Sequence, residues 1–299
     1  MTLPGWIAVD WGTSNLRVWA MTSGGEVLIE RSSDKGMGTL EPDQFEAAFM
    51  DLAGDLLGTG RMTVVVCGMA GARGGWCEAG YVAVPAVPGR GAATRVVTRD
   101  PRLDVTILPG LSQADPPDVM RGEETQIAGV LAQFPEIDGV ICLPGTHTKW
   151  VRVADGRVRT FRTFMTGELF ALLSRHSILR QGMDDDWSAE AFAGGLTDGL
   201  ADPAGLSAAL FGLRARGLLQ APHAGETRAR LSGLLLGLEL AGARPFWDGG
   251  KVIVVGDTRA LDLYVKLSDL AAEIHFVAAR EMTLRGLISA HTELTGGSE

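Results

Sequence analysis

The chain has 299 residues, of which 46% are hydrophobic, and a formal net charge of −9. This length and composition allow a substantial core and two domains of ordinary size. The negative charge argues against general binding of nucleic acid or anionic membranes, because phosphate-rich partners need a basic surface. An anionic ligand must therefore meet a local cationic pocket.

Three isolated cysteines and the hydropathy pattern bear on location. Cys67, Cys77 and Cys142 lack CxxC or zinc-ligand spacing, which fits reduced thiols. No apolar stretch approaches the roughly 18 residues of a membrane-spanning helix. The N-terminus has no basic region before Asp10 interrupts the first apolar run. We predict a cytoplasmic protein that binds neither membranes nor nucleic acid.

The N-terminal part of the chain predicts an α/β unit. Apolar runs separated by turn residues indicate a β-meander, and periodic apolar residues then indicate a helix. A further strand ends in the glycine-rich segment 68–76, and a strand that ends in such a loop usually points into a site. The predicted strands are 6–9, 16–21, 26–29, 62–67 and 105–108, with a helix over 41–57.

A second α/β unit is predicted after a proline-rich segment at 82–119. We place the hinge near 110–120 and predict two domains, 1–115 and 116–299. A helix over 123–134 leads into a hairpin at 140–162, so the second unit repeats the pattern of the first. The later predicted helices are 167–179, 188–195, 203–218, 226–243, 259–272 and 281–291, with strands at 252–255 and 273–277 between them.

The most informative motif is IAVDWGTSNLRV, at residues 7–18. Glycine lets the backbone approach an oxyanion, hydroxyls donate to phosphate oxygens, and an arginine offsets charge on a moving phosphoryl group. Asp10 ends the strand, where a carboxylate suits Mg²⁺ held commonly through water. An ordinary hairpin is the alternative, although a carboxylate there is costly without a partner. The candidate phosphate-binding residues are Gly12, Thr13, Ser14 and Arg17.

A second copy of this device is VICLPGTHTKWV, at residues 140–151. Pro144 stands where symmetry with the first copy would put a carboxylate, so only the first copy is expected to carry the metal. Lys149 can offset phosphoryl charge, or it can be a strand-edge charge. His147 can equally be a structural histidine. The candidate phosphate-binding residues of this turn are Gly145, Thr146 and His147.

Two adjacent carboxylates, Glu123 and Glu124, begin the helix at the presumed hinge. Acidic residues are common in a first helical turn because they offset the helix dipole. A kinase that phosphorylates a sugar, however, needs a carboxylate within reach of the hydroxyl proton. Both residues are therefore candidates for a general base.

Two further segments suit the substrates of such a kinase. The segment 68–76 combines four glycines with Arg73 and Trp76, so a guanidinium could bind a carboxylate and an indole could pack on sugar carbons. A mobile surface loop is the alternative. Gly256 and Asp257 follow a strand and could lie behind an adenine ring. The motifs GxxxxGK[ST], GxGxxG and GxSxG are not present in the sequence, which argues against P-loop kinases, dinucleotide enzymes and common serine hydrolases.

With these motifs in this order, the chain resembles the sugar-kinase branch of the actin, Hsp70 and hexokinase superfamily. More narrowly, it resembles the 2-dehydro-3-deoxygalactonokinase family. The resemblance covers nearly the whole chain, and MRGEETQ with PGTHTKW is its most specific part. The segments that carry it are AVDWGTSNLR, GMAGARGGW, MRGEETQ, LPGTHTKWV, FRTFMTGEL and LSGLLLGLE.

The resemblance implies an α/β fold of two ribonuclease-H-like, actin-like ATPase domains. Each domain would have a mixed five-stranded sheet flanked by helices, with ATP and Mg²⁺ bound in the cleft. The implied reaction is ATP-dependent phosphorylation of 2-dehydro-3-deoxy-D-galactonate at the 6-hydroxyl, in galactonate catabolism. The base of related larger sugar kinases falls on Glu123, with Glu124 as a rival. Arg73, together with Arg121, would hold the substrate carboxylate, and Gly256-Asp257 stands where the adenosine motif usually shows paired glycines.

Other functions remain open at this stage. The chain could phosphorylate another acidic sugar, because one epimer changes only a few hydrogen bonds. An actin-like or Hsp70-like nucleotide switch, or a phosphohydrolase of the exopolyphosphatase type, would use the same two hairpins without a sugar acceptor. The sequence leaves the oligomeric state open, a homodimer included.

Overall fold

Two mixed β-sheets with related strand order organise the chain. The computed structural model describes residues 4–220, 225–257, 260, 264, 267 and 273–296. The helix predicted over 259–272 lies outside the described residues, apart from Ala260, Tyr264 and Leu267. The strands are β1 Trp6–Trp11, β2 Leu16–Met21, β3 Val27–Ser33, β4 Met62–Gly68, β5 Tyr81–Ala83, β6 Thr94–Arg95, β7 Leu103–Ile107, β8 Gly110–Gln113, β9 Asp118–Met120, β10 Gly139–Leu143, β11 Thr148–Ala154, β12 Arg157–Phe164, β13 Lys251–Gly256 and β14 Glu273–Ala278.

Eight α-helices with defined bounds accompany these strands within the described parts of the chain. Most begin or end within a few residues of the predicted bounds. The helix expected over 41–57 is α-helical in its middle only, since 3₁₀ turns flank it at Pro42–Gln44 and Gly54–Leu56. The helices are α1 Phe45–Ala53, α2 Glu123–Gln133, α3 Thr166–His176, α4 Ala189–Ala201, α5 Leu206–Leu219, α6 Glu226–Gly242, α7 Arg244–Trp247 and α8 Ala279–Gly296.

The first sheet has the strand order β3-β2-β1-β4-β7-β6. The meander β1 to β3 is antiparallel, whereas β4 and β7 continue the sheet in parallel with β1. The two-residue strand β6 adds a sixth, antiparallel edge. Alternate residues of β1 and β2 pack into the core on the α1 face, where Trp11 and Phe45 are fully buried.

The second sheet repeats this plan with the order β12-β11-β10-β13-β14. Its meander β10 to β12 is antiparallel, and β13 and β14 run parallel to β10. The strands are therefore equivalent in order to β3-β2-β1-β4-β7. The turn between β1 and β2 and the turn between β10 and β11 occupy equivalent positions in the two sheets, as the repeated motifs predicted.

Glycines bring two pairs of helices into close contact. A Cβ on Gly286 of α8 would lie 1.9 Å from the Thr125 carbonyl oxygen of α2, and one on Gly129 would lie 2.0 Å from the Met282 carbonyl. A larger residue at Gly286 or Gly129 would therefore push the two helices apart. The glycines of α4 and α6 do the same between those helices. Helix α8 also packs against the first sheet, since Leu287 joins the core around Trp6 and Trp19.

The segment between β4 and α2 contacts the second sheet. Ala86 forms a β-bridge with Val158, and the buried Gln113 side chain accepts a hydrogen bond from the Phe161 amide at 3.0 Å. A small sheet of order β5-β8-β9 forms in this segment. The proposed boundary near residue 115 lies inside this small sheet, and it remains a prediction. None of the helices in the described parts of the chain is long and apolar enough to cross a bilayer.

Candidate active site

The turn between β1 and β2 exposes the hydroxyl residues of the first motif. The Gly12 amide donates to the Asn15 carbonyl at 2.8 Å and closes the turn. Behind it, the Gly38 amide donates to the Thr13 carbonyl at 2.9 Å. Thr13 and Ser14 are exposed, while the strands on either side of them are buried. The turn is therefore held from behind and presents its hydroxyls outward, as a phosphate-binding turn must.

Asp10 lies at the end of β1, beside Arg17 of β2. Arg17 Nη2 is 3.1 Å from Asp10 Oδ2, and the Asp10 side chain is 16% exposed. Burial raises the pKa of the Asp10 carboxyl, and the nearby charge of Glu123 raises it further, while Arg17 acts in the opposite direction. Asp10 and Glu123 are thus close enough for their charges to interact, although they come from the two predicted domains.

Glu123 begins α2 and faces Lys149 of β11. Lys149 Nζ lies 3.5 Å from Glu123 Oε1, and the Arg121 amide donates to Glu123 Oε2 at 3.1 Å. Lys149 is only 5% exposed and lies in the middle strand of its meander, which is inconsistent with a strand-edge surface charge. A buried lysine needs a counter-charge, and the Glu123 carboxylate provides it.

Glu124, the rival base, is fully buried. Its Oε2 accepts a hydrogen bond from the Gly122 amide at 2.7 Å. Burial, followed by the neighbouring Glu123 charge, raises the pKa of Glu124 to about 8. Glu124 is therefore protonated at neutral pH, and a protonated carboxyl cannot accept another proton. The environment separates the two carboxyls into one that is partly exposed and paired with lysine and one that is buried and neutral.

Because Glu124 is buried, we predict that the difference in stability between Glu124→Gln and wild type depends on pH. The pKa of Glu124 is about 8 in the folded protein against an ordinary value of 4.5. Proton binding by Glu124 therefore contributes fully to the free energy of unfolding below pH 4.5. This contribution is lost as pH rises through about 8. Because glutamine mimics the protonated form, the variant should gain stability relative to wild type between pH 5 and pH 8, by at most about 1.4 kcal/mol per pH unit.

Urea unfolding of both proteins at the two pH values measures this difference. A difference in the free energy of unfolding that is the same at both pH values would show that the carboxyl does not bind a proton on folding.

The turn between β10 and β11 is supported by the start of α3. Gly145, Thr146 and His147 are exposed, and the Glu168 amide donates to the Thr146 carbonyl at 3.0 Å. The Glu168 carboxylate is in hydrogen-bond contact with His147 Nε2. His147 is therefore exposed and is oriented by a carboxylate beside this turn, and its role in phosphate binding remains a prediction.

The two predicted substrate residues of the glycine-rich segment after β4, Arg73 and Trp76, lie in different environments. Trp76 packs on the aromatic core, with its ring centroid 5.7 Å from that of Trp11 and 6.3 Å from that of Phe49. Arg73 is exposed, and it forms no hydrogen bond or ion pair with any residue that the structure describes. The loop thus presents the exposed guanidinium of Arg73, whereas the Trp76 ring packs largely against the core.

Arg121 lies beneath the same loop. Its Nη2 donates to the Ala79 carbonyl at 2.6 Å, and its guanidinium stacks over the Tyr81 ring at 4.3 Å. Its Nε and Nη1 atoms are buried and have no hydrogen-bond partner among the described residues. Buried guanidinium donors without partners are costly, so this side chain is a candidate for binding an anionic group.

Gly256 ends β13, the strand beside β10, and Asp257 follows it. Because β13 runs parallel to β10 and Val254 pairs with Cys142, the C-terminal end of β13 lies on the same side of the sheet as the turn between β10 and β11. Asp257 Oδ1 accepts a hydrogen bond from the Ala260 amide at 3.0 Å. The segment after β13 is thus placed near the turn between β10 and β11, and a direct contact with adenine remains a prediction.

Some residues of the site were outside the sequence-based prediction. Lys149 was predicted to offset phosphoryl charge, but its pairing with Glu123 joins two distant segments of the chain and is visible only in the structure. Glu168 lies in FRTFMTGEL, a segment that carries the family resemblance, but the sequence does not indicate its contact with His147. An acidic residue in the first turn of a helix is common, and its proximity to His147 arises only on folding.

The predicted magnesium site is compatible with these residues. Among the described residues, no group of three or more histidine, cysteine, aspartate or glutamate side chains is arranged to hold a metal. Mg²⁺ in phosphoryl-transfer sites needs only one or two carboxylates, with phosphate oxygens and water completing its coordination. Asp10 fits this role, because burial raises its pKa and a divalent cation would favour its ionised form.

The paired sheets and their two turns define the class as an actin-like ATPase fold. The activator of 2-hydroxyisocaproyl-CoA dehydratase from Clostridium difficile, solved with bound ADPNP, shares this fold. Its TM-score is 0.50 at 12% identity, over 98% of this chain and 96% of that chain. This likeness concerns the fold alone.

The chain belongs to the 2-keto-3-deoxy-galactonokinase family, whose model matches residues 10–290. It is 44% identical to a probable 2-dehydro-3-deoxygalactonokinase from Rhizobium meliloti strain 1021, over 81% of this chain and 82% of the relative. It is 38% identical to the 2-dehydro-3-deoxygalactonokinase of Escherichia coli K12, over 81% of each. A crystal structure from Sinorhizobium meliloti, named as a candidate 2-dehydro-3-deoxygalactonokinase, matches with a TM-score of 0.89 and 40% identity, covering 97% of this chain and 99% of that chain.

Proposed function

We propose that this protein transfers the γ-phosphoryl group of ATP to the 6-hydroxyl of 2-dehydro-3-deoxy-D-galactonate, in galactonate catabolism. The family membership supports the reaction and the substrate. The observation that carries the mechanism is the ion pair of Glu123, at the start of α2, with the buried Lys149, which lies next to the second phosphate turn. Cytoplasmic ATP is the donor, and the free cysteines fit that compartment.

In this proposal, Glu123 is the general base. Its side chain is 26% exposed, so an acceptor hydroxyl can reach it, whereas Glu124 is buried and neutral. As the hydroxyl oxygen attacks the γ-phosphorus, its proton passes to the Glu123 carboxylate and the bond to the β-phosphate oxygen breaks. Lys149 offsets the negative charge that Glu123 and the phosphates bring together.

The two exposed turns bind the phosphates of ATP. Their backbone amides and hydroxyls, with Arg17, stabilise the charge on the transferring group. The residues proposed for this role are Gly12, Thr13, Ser14, Arg17, Gly145, Thr146 and His147, and Gly256 and Asp257 are proposed near adenosine. Asp10 would hold Mg²⁺, which supplies charge neutralisation for the β- and γ-phosphates when bound.

Arg121 and Arg73 are the proposed ligands of the substrate carboxylate, and Trp76 is proposed to pack on the sugar carbons. Among the residues that the structure describes, Arg121 has two buried donors without a hydrogen-bond partner, and the exposed Arg73 in the adjacent loop forms no ion pair. A carboxylate held by a guanidinium fork would satisfy the unpaired donors of Arg121.

Arg121→Lys keeps the positive charge but removes the planar fork. We expect the KM for the sugar acid to rise about 10- to 100-fold, because one or two charge-assisted hydrogen bonds are lost, while the KM for ATP stays within twofold. Arg73→Ala should shift the same KM in the same direction. Steady-state kinetics with each substrate varied in turn measures both values. Equal increases in the two KM values would refute the carboxylate assignment.

The proposed function is tested by ADP formation with a panel of acceptors. ATP is combined with 2-dehydro-3-deoxygalactonate, its 2-dehydro-3-deoxy epimers, simple aldonates and neutral sugars. Selective turnover of 2-dehydro-3-deoxygalactonate is the expected result. Activity with another acidic sugar alone would keep the fold and mechanism but replace the substrate, and turnover that no acceptor stimulates would refute the kinase function.

A further inference from the structure

A buried carboxylate that the proposed mechanism does not use lies behind the second phosphate turn. Glu239 is on α6 and is only 1% exposed. It lies two residues after Gly237, at which α6 packs so closely on α4 that a Cβ would be 2.5 Å from the Leu196 carbonyl oxygen. The position of Glu239 is therefore fixed, and a carboxylate at that depth needs hydrogen-bond donors.

Donors from three parts of the chain converge on Glu239. Trp150 Nε1, on β11, donates to Glu239 Oε1 at 3.0 Å, and the Tyr264 hydroxyl donates to the same oxygen. The hydroxyl of Thr166, the first residue of α3, donates to Oε2. Burial raises the pKa of the Glu239 carboxyl, against the opposing effect of the bonds from Thr166 and Tyr264. Both carboxylate oxygens are thus used within the protein.

Two of these donors belong to the elements that form and support the second phosphate turn. Trp150 lies on the strand that leaves the turn, three residues after His147. Thr166 begins the helix whose Glu168 contacts His147 and donates its amide to Thr146. Between them, Gly167 packs so closely on the turn that a Cβ would lie 2.5 Å from the Gly145 carbonyl oxygen. Glu239 therefore links the strand that leaves the turn to the helix that supports it.

We propose that Glu239 is a positioning residue for the ATP phosphates, acting through Trp150 and Thr166 to hold the turn at 145–147 in its binding geometry. The kinetic consequence rests on the proposed kinase function, whereas the effect on nucleotide affinity does not. A turn held in advance loses less conformational freedom on binding. It also keeps its donors where charge develops during transfer.

The test compares Thr166→Val with Thr160→Val. Thr166→Val removes the hydroxyl that ties α3 to Glu239 and keeps the buried carboxylate. Thr160→Val is the matched control, because the Thr160 hydroxyl, in the middle of β12, donates to Gln113 Oε1 at 2.6 Å and makes no contact with Glu239 among the described hydrogen bonds. Thr166→Val should raise the Kd for ADP and the KM for ATP about tenfold and lower kcat about tenfold, while the KM for the sugar acid stays within twofold. Thr160→Val should change none of these.

Calorimetry with ADP and steady-state kinetics with both substrates give these values. Glu239→Gln and Tyr264→Phe should shift them in the same direction, and if Glu239→Gln fails to fold, Thr166→Val still decides. The positioning role is wrong if Thr166→Val leaves nucleotide affinity unchanged, or if Thr160→Val weakens nucleotide binding as much as Thr166→Val does. Wild-type protein that binds ADP but does not phosphorylate the sugar acid would refute the proposed function, and the ADP affinities would then test Glu239 alone.

Discussion

Glu123→Gln is expected to lower kcat by about 10²- to 10⁴-fold, which is the usual contribution of a general base. Glutamine has nearly the same shape but cannot accept the proton of the sugar hydroxyl. The carboxylate it replaces is partly exposed and lies 3.5 Å from Lys149 Nζ. ATP binding should persist, because the phosphates are bound by the two turns. Turnover assays give kcat, and calorimetry gives the affinity for ATP.

The matched control for this variant is Glu124→Gln, the same change one residue further along α2. Glu124 is buried and has a pKa of about 8, so glutamine resembles the form that is already present at neutral pH. We expect it to retain most of the wild-type kcat. A large loss of kcat in Glu124→Gln, with activity kept in Glu123→Gln, would move the base by one residue.

Lys149→Met is expected to lower kcat on the order of 10²-fold, comparable to the loss of one charge-stabilising donor in other active sites. The lysine is 5% exposed and is paired with Glu123. Without it, the carboxylates of Glu123 and Asp10 and the phosphates of ATP would bring several negative charges together with less compensation. The variant should bind ATP more weakly as well, and this can be measured together with turnover.

Lys251→Met is the control for Lys149→Met. Lys251 begins β13, its side chain is 62% exposed, and it pairs with Glu273 at the surface. Surface ion pairs contribute little, so this variant should keep wild-type kcat and stability. If Lys149→Met is folded and keeps kcat within a few-fold of wild type, the lysine has only a structural role.

Local sequence patterns predicted most of the regular structure that surrounds the site. The strands of both meanders are apolar runs bounded by turn residues, so β2, for example, occurs at the predicted bounds. The small sheet β5-β8-β9 was not predicted. Its strands have three or four residues and pair across a proline-rich segment, as when Tyr81 pairs with Gly110. Pairing between such short, distant segments leaves no periodic signal in the sequence.

In the candidate site, too, the contiguous motifs could be predicted from the sequence, whereas contacts between distant residues could not. The exposed turns and the acid pair at the start of α2 could be predicted because each motif is contiguous. The different environments of Glu123 and Glu124 could not be predicted, because they depend on which carboxyl is buried after folding. Glu239 could not be predicted either, since its partners Trp150, Thr166 and Tyr264 are far apart in sequence.

Phosphorus NMR of a reaction with ATP and 2-dehydro-3-deoxygalactonate tests the central claim most directly. The signal of a sugar phosphomonoester identifies the acceptor, and its coupling to carbon-bound protons identifies the phosphorylated position. The account predicts ADP and a 6-phosphorylated sugar acid in equal amounts, with both formed about 10²- to 10⁴-fold more slowly by Glu123→Gln. Inorganic phosphate and ADP without any phosphomonoester would contradict it and would identify the protein as an ATP hydrolase.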